Sequence, residues 1–580
     1  MPLIIKVVTI ILILSFQSAF AENNKNFEVL EETFTNSADS PTVLAIDLFQ
    51  DDLTKDKDKS SQQVTTVPSD NQPPVKLVSP VNKGNTNNTP MILSLKEAVV
   101  RALSNNIEIA VENFSSKINN EKISENLSEF DVTLGIDLSF GRKVQQLASA
   151  FSSPNKMANE NQSWDLSLSQ KLKTGTDYKF NFTNNRNKTN SKTAGLNPNY
   201  SSELELSLTQ PLLKNFGSDV NVRNIFIAKN NVKISDYEFN TKVINIISDV
   251  ETIYWDFVYS LKDLEVKKKS LERAKDLESQ IKSQVAVGTM AQIESLQAES
   301  DVASREESLL VAHDLIQDNE DKLKNILNFD FASNEGLNAI HPSDQPNFLI
   351  EKINFNDAMK KALSTRPDYL AKKKELENKD ILVKYQENQI YPSVDLVGSF
   401  GVNGLSGEAI DVKSGTFLGR SAYGGSYGTA LTDSFSTNFY DWELGLKFSY
   451  PIGNRSANAQ LTASRLNKAK QILSIKSLEK EIILEIRESI RQLKTDAKRI
   501  KASQIANKLA KEKLNAEEKK FEVGLSTSFN VLEFQDDLAQ SESNQIKTII
   551  DYNQSKVRFR QSIAETLIQH DIELKTDEKI

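Results

Sequence analysis

The sequence has no cysteine. Disulfides, thiolate metal sites, cysteine nucleophiles and a cysteine-borne lipid anchor are therefore excluded. It has only three histidines, His313, His341 and His570, in no metal-ligand spacing. No Ser-His-Asp arrangement, zinc motif or phosphate loop is visible, so neither enzyme chemistry, a cofactor nor a metal is expected. No charge sign dominates: 70 Lys and Arg stand against 79 Asp and Glu, for a net charge of −9. That balance argues against nucleic acid as a partner. Long hydrophobic runs are missing too, except in "MPLIIKVVTIILILSFQSAFA" at the start. Its uncharged apolar part is shorter than the ~20 residues a spanning helix needs, and Ala19-Phe20-Ala21 is a small-residue cleavage site. Residues 1–21 read as a secretory signal peptide.

What the chain does have is charge and periodicity. Charged residues make up 26% and hydrophobic residues 38%, which suits long helices with narrow apolar seams better than a thick core. Residues 22–90, rich in Asn, Ser, Asp, Lys, Thr and Pro, cannot bury enough apolar surface to order themselves and read as a tether.

The remainder reads as an internal duplication. "LKEAVVRALSNN" at 95–106 aligns with "FNDAMKKALSTR" at 355–366, and "SLTQPLL" at 207–213 with "KFSYPIG" at 447–453. "QVAVGTMAQIESLQAESD" and "KFEVGLSTSFNVLEFQDD" align through Gly288 and Gly524, with Leu296 and Asp301 matching Leu532 and Asp537. The two repeats are 91–327 and 354–568, joined by a linker at 328–353 and followed by a tail at 569–580. Each reads as helix, strands, proline, very long helix, Val-Gly turn, helix. The long helices, 218–287 and 454–523, have about 70 residues each, roughly 105 Å at 1.5 Å per residue. The flanking helices, 94–129, 290–327, 355–389 and 526–568, are about half as long. Two short helices end to end thus match one long helix, the balance of a tube wall.

Ile482, Ile486, Ile490, Leu493, Ala497 and Ile500 form a coiled-coil-like seam. A free-standing coiled-coil rod would show the same seam. The strands argue otherwise. "DVTLGIDLSF", "ELELSLTQ", "VDLVGSFGV" and "DWELGLKFSY" alternate apolar with polar or small residues over about ten positions, as transmembrane β-strands do. A soluble half-buried sheet has the same period, but the signal peptide favours the outer membrane. Trp164 and Trp442 are expected at strand ends, in an aromatic girdle. The hairpin Trp164–Leu172 and Tyr178–Phe182 either extends an extracellular loop or adds strands. Residues 401–439, with eight of the 20 glycines, read as an exposed flexible loop.

The order of "LSLKEAVVRALSNN", "LTQPLLKNFG", "SYPIGNRSA" and the two Val-Gly turns resembles the TolC-type outer-membrane efflux protein family over residues 93–568. The resemblance implies a mainly α fold with membrane β. It implies a homotrimer in which each chain gives four strands to a twelve-stranded β-barrel continuous with a coiled-coil α-helical tunnel. Four strands cannot close a barrel alone, and an open edge is not viable in lipid. The implied partners are outer-membrane lipid, a periplasmic adaptor (membrane fusion) protein and an inner-membrane pump. The implied role is the exit duct of a tripartite efflux pump or type I secretion system. A periplasmic coiled-coil spacer or adhesin-like protein is the alternative.

The family's adaptor contact lies at the helix tips. "VGLS", Val523, Gly524, Leu525 and Ser526, resembles the tip signature. "VGTM", beginning at Val287 and Gly288, departs from it at its third and fourth positions. Family members narrow the tunnel mouth with acidic residues just past the second glycine. The matching positions are Asn530 and Glu533, with Glu294 and Gln297 in the first repeat. Asn530 stands where an Asp is expected, which implies a weaker cation site. The aromatic cluster "YWDFVYSL", from Tyr254, is expected to pack near the tunnel's equator.

Overall fold

Six β-strands in one antiparallel sheet sit above a wall of helices in the computed structural model. It describes residues 91–146, 156–350, 353–410, 412–414, 417–419 and 421–574. The expected signal peptide, the tether and the end of the tail lie outside the described residues. By their contacts, the described residues up to His570 form one unit, and Asp571–Glu573 belong to another.

The strands are β1 (Thr133–Gln146), β2 (Lys156–Lys171), β3 (Asp177–Thr189), β4 (Leu196–Pro211), β5 (Ser393–Ala409) and β6 (Tyr440–Ser449). Their spatial order is their chain order, so the sheet is a meander with β1 and β6 as its edges. The chain's sheet therefore has six strands, the hairpin adding two to the four expected. The hairpin β2–β3 lies in the middle, paired to β1 on one side and β4 on the other. It is also longer than its alternating part, because the polar runs "KMANENQS" and "NNRNKT" continue the two strands. Trp164 consequently lies mid-strand rather than at a strand end, while Trp442 is near the start of β6.

The helices are α1 (Leu95–Asn105), α2 (Ile107–Leu127), α3 (Arg223–Ala286), α4 (Gln292–Ile326), α5 (Phe355–Thr365), α6 (Pro367–Gln389), α7 (Tyr427–Phe435), α8 (Arg455–Glu522) and α9 (Ser528–Ser562). The long helices α3 and α8 have 64 and 68 residues. Nearest the sheet, α2, α3, α6 and α8 lie side by side; farther away, α4 and α9 take the places of α2 and α6. The wall is four helices wide throughout, with short helices stacked beside long ones.

The two helices read as continuous, 94–129 and 355–389, are each broken in two. Asn106 ends α1, and its side chain caps α2 by accepting from the Glu108 and Ile109 N–H groups at 2.9 and 3.3 Å. Arg366 ends α5, since Pro367 disfavours helical backbone at the residue before it and suits the first position of the next helix. Both break residues also hold the end of another helix. Asn106 Nδ2 donates to the Ile326 carbonyl of α4 at 2.9 Å, and Arg366 donates to the Ser562 carbonyl of α9 at 3.0 Å. These side chains satisfy carbonyls that a helix end leaves unpaired.

Near the middle of the wall, Tyr254 is fully buried and packs edge-on to Trp255, their ring centroids 5.6 Å apart. Its hydroxyl donates to the Leu93 carbonyl at 3.1 Å and to the Asp344 carboxylate at 2.9 Å. This secures a two-strand parallel pair, Met91–Leu93 with Ile340–Pro342. Burial pushes the phenol well above its ordinary range. The aromatic cluster is thus packing and anchorage.

The 401–439 segment is not a plain loop. β5 runs on to Ala409, and Ser426 with Thr429 forms a capping box that starts α7. Gly404 lets α7 lie on the sheet, since a Cβ there would collide with the Ala430 carbonyl oxygen. Tyr427 packs between Trp164 and Tyr200, and Phe435 against Phe182.

Candidate functional site

Two regions carry the functional argument: the faces of the sheet and the far ends of the long helices. Strand alternation sends successive side chains to opposite faces. In register across all six strands run Leu134, Leu168, Phe180, Leu206, Phe400 and Trp442. The neighbouring row on that face is Ile136, Leu166, Phe182, Leu204, Val402 and Tyr440. The only polar groups in either row are the Trp442 indole N–H and the Tyr440 hydroxyl, both on β6. The row between them on the other face is Gly135, Ser167, Asn181, Glu205, Gly401 and Asp441. One face is thus an apolar belt and the other is polar. At the free edges the belt is open to solvent, with Leu138 69% and Leu446 70% exposed. Among the described residues no helix is long and apolar enough to cross a membrane.

At the other extreme, α3 turns into α4 and α8 turns into α9 through the same backbone. Gly288 and Gly524 both have φ of +79°, a conformation glycine adopts at little cost. Gly288 N–H donates to Val285 at 3.0 Å and Thr289 N–H to Gln284 at 2.9 Å; Gly524 N–H donates to Phe521 at 3.0 Å and Leu525 N–H to Lys520 at 2.8 Å. These paired bonds are the Schellman pattern, which closes a helix C-terminus.

The side chains around the turns differ. Thr289 Oγ1 donates back to Gln284 at 2.9 Å. Ser526 Oγ instead donates to Glu517 at 2.6 Å, and Lys520 pairs with the same carboxylate at 2.9 Å. The Ser526 hydrogen bond, with Lys520, holds the Glu517 carboxyl below its ordinary range. Asn530 Nδ2 donates to Ser526 Oγ at 3.3 Å, and Thr527 caps α9 through the Asn530 N–H. The buried Ser528 hydroxyl donates to Glu294, which ties the two turns together.

The four aperture candidates therefore divide. Asn530 and Glu294 are engaged in holding the turns. Gln297 and Glu533 are exposed, and Glu533 makes no ion pair among the described residues. Apolar side chains crowd the same end in the open: Val287, Ile293, Leu296, Val523, Leu525 and Phe529. Beneath them Leu277, Ile281, Ala298, Leu514, Val531, Leu532 and Leu538 form the core that joins both hairpins.

One residue that sequence reading missed holds this end together. Arg305 of α4 is buried, 6% exposed. It pairs with Asp301 at 2.6 Å, donates to the Ser270 hydroxyl of α3 at 2.7 Å and to the Leu532 carbonyl of α9 at 3.2 Å. Nothing marks it in "SDVASREES", where it is one charge among several. His570, the last histidine, lies within hydrogen-bond distance of buried Glu251 of α3, Nε2 to Oε1 2.7 Å.

A sheet apolar on one face and polar on the other is carried on a wall of paired long helices. The chain superimposes on the outer-membrane channel OprN with a TM-score of 0.59 at 13% identity, covering 81% of this chain and 90% of that one. For the Campylobacter jejuni outer membrane channel CmeC the values are 0.58 and 16%, covering 81% and 86%. For the open state of the Neisseria gonorrhoeae outer membrane channel MtrE they are 0.54 and 14%, covering 87% and 99%. At such identities the likeness speaks for the fold. The profile of the outer membrane efflux protein family matches residues 177–328 and 358–565, and the chain belongs to that family. No curated protein sequence matches it significantly. Family members are channels rather than enzymes.

Proposed function

We propose that the protein is the exit duct of a tripartite efflux pump or a type I secretion system. Three copies would close edge to edge into one barrel in the outer membrane, above a helical tunnel in the periplasm. The observation that carries this reading is the belt: two registered apolar rows backed by a polar row, with both edges unpaired. Lipid tolerates such a sheet only when its edges are closed. Six alternating strands leave β1 and β6 antiparallel, so the last strand of one copy can pair with the first strand of the next.

The two halves, 91–327 and 354–568 with the 328–353 linker between them, act as repeats, each supplying one helical hairpin to the tunnel end. The exposed apolar side chains around Val287, Gly288, Val523, Gly524, Leu525 and Ser526 suit a periplasmic adaptor, which would link the duct to an inner-membrane pump. Exposed Glu533 is the residue free to face the aperture. A ring of carboxylates there would favour cations and repel anions, while Glu294, Asn530 and Gln297 set the turns and rim around it. Transport would follow from outward movement of the hairpins, with energy supplied by the partner.

The test is single-channel conductance in planar bilayers, wild type against Glu533→Ala. The expected result is a small cation-selective conductance that rises or loses its selectivity in the variant. Unchanged selectivity would remove Glu533 from the gate. A protein that stays soluble without detergent and shows no conductance would remove the channel.

A further inference from the structure

The hairpin β2–β3 is the part of the sheet with no helix of its own. β1 follows α2, β4 leads towards α3, β5 follows α6 and β6 leads to α8. Four strand ends thus meet the four-helix wall, and the turn between Lys171 and Asp177 meets none of them directly. It is nevertheless built into the junction. Gly217 N–H, just before α3, donates to the Thr174 carbonyl at 3.1 Å. Gln170 Nε2 donates to the Phe130 carbonyl at 2.7 Å, and Lys171 pairs with Glu129 at 2.7 Å, both just after α2. Gly175, with φ of +92°, lies so close to the Asn215 carbonyl and the Asn221 side chain that a Cβ would not fit.

The hairpin's faces also agree with those of its neighbours. Leu166 and Leu168 on β2 and Phe180 and Phe182 on β3 continue the two apolar rows without a gap. Ser167 and Asn181 continue the polar row. The registered alternation runs through the hairpin as it does through its neighbours, and on the apolar face Trp164 and Phe182 also meet Tyr427 and Phe435 of α7.

We infer that the hairpin is part of the barrel wall, so that the assembled channel has six strands from each copy and eighteen in all, with a correspondingly wide outer mouth. This rests on the three-copy barrel proposed above. Barrel diameter grows about linearly with strand number, so the mouth is about one and a half times as wide as a twelve-stranded one. The wall of the tunnel stays four helices per chain. The bore therefore steps outward at the junction, and the selection of solutes by size falls to the helical end. The solutes concerned are bulky ones, which leave through a mouth that does not constrict them.

The test has two readouts on the full-length protein in detergent and in bilayers. Electron cryomicroscopy of the purified oligomer counts chains and strands. Polyethylene glycols of graded size, added from the outer side only, measure the radius that the mouth admits. The expected result is three chains, eighteen strands, and a cut-off radius that falls by about a third when residues 156–189 are deleted. Asn181→Trp, which leaves the hairpin in place and adds bulk to the polar face, lowers the cut-off as well and covers the case of a deletion that does not fold. Three chains with twelve strands and hairpins outside the wall overturns the inference, as does a cut-off unchanged in Asn181→Trp. A closed barrel of six strands per chain but a different number of chains overturns the three-copy reading and keeps the hairpin in the wall.

Discussion

The two helical hairpins have the same turn and different fastenings. In both, a valine precedes a glycine at φ of +79° and the same two backbone bonds close the helix. The first hairpin caps itself locally, Thr289 back to Gln284, and then sends Arg305 across to the second. The second hairpin carries its own ionic knot, Ser526 and Lys520 on Glu517; its Leu532 carbonyl accepts from Arg305, and its Ser528 hydroxyl donates back to Glu294. Backbone geometry thus makes the turns alike, while side chains fasten them differently and cross-link them with one bond in each direction.

The largest effect on this asymmetry is expected from Arg305→Ala. It strips a buried pair and the bonds to Ser270 and Leu532, at a cost of about 2–3 kcal/mol, moderated because Asp301 keeps access to water. Hydrogen exchange should rise in α4 and in the first turns of α9 together; a rise confined to α4 would show that the hairpins are not coupled through this residue. Next come Gly288→Val and Gly524→Val, each forcing a β-branched residue to positive φ at about 1–3 kcal/mol. Equal losses in thermal stability are expected from the shared backbone, and a marked inequality would mean that the side-chain fastenings decide the turn. The smallest effect is a pH dependence. The Glu517 carboxyl is held low when folded, so its contribution is present above its unfolded pKa and fades as pH falls through the folded value. On acidification the second turn should lose exchange protection while the first does not. Ser526→Ala should move that loss to higher pH, and an identical profile in wild type and variant would disprove the linkage.

Much of this was legible in the sequence because it is periodic. Alternation at 132–140, 204–208, 394–402 and 442–450 marked strands. Glycines inside otherwise helical runs marked the turns. What escaped was what periodicity does not encode. The outer halves of β2 and β3 are polar on both faces, so no alternation announced them. The break at Asn106 depends on a capping side chain; the break at Arg366 did have a signal, the following proline. Helix α7 hid in a glycine-rich stretch whose Ser-Tyr-Gly-Thr start is a cap, and whose Gly404 counterpart is a landing site rather than a hinge. Arg305 and the Ser528–Glu294 bond join residues far apart in the chain, and such pairings leave no local trace.

The two unpaired edges of the sheet bear on how the protein reaches its membrane. β1 and β6 each present a row of unsatisfied backbone groups, over 14 and 10 residues. A lone chain cannot carry such edges into hydrocarbon, whereas its helical wall needs no neighbour to form its intrahelical bonds. With the barrel closed by several copies, as proposed above, folding of the helices should be independent of dilution, and membrane entry should depend steeply on chain concentration. Scarcity of the chain would leave helix-folded, uninserted subunits with exposed strand edges, the kind of species that aggregates or is degraded unless a chaperone shields it.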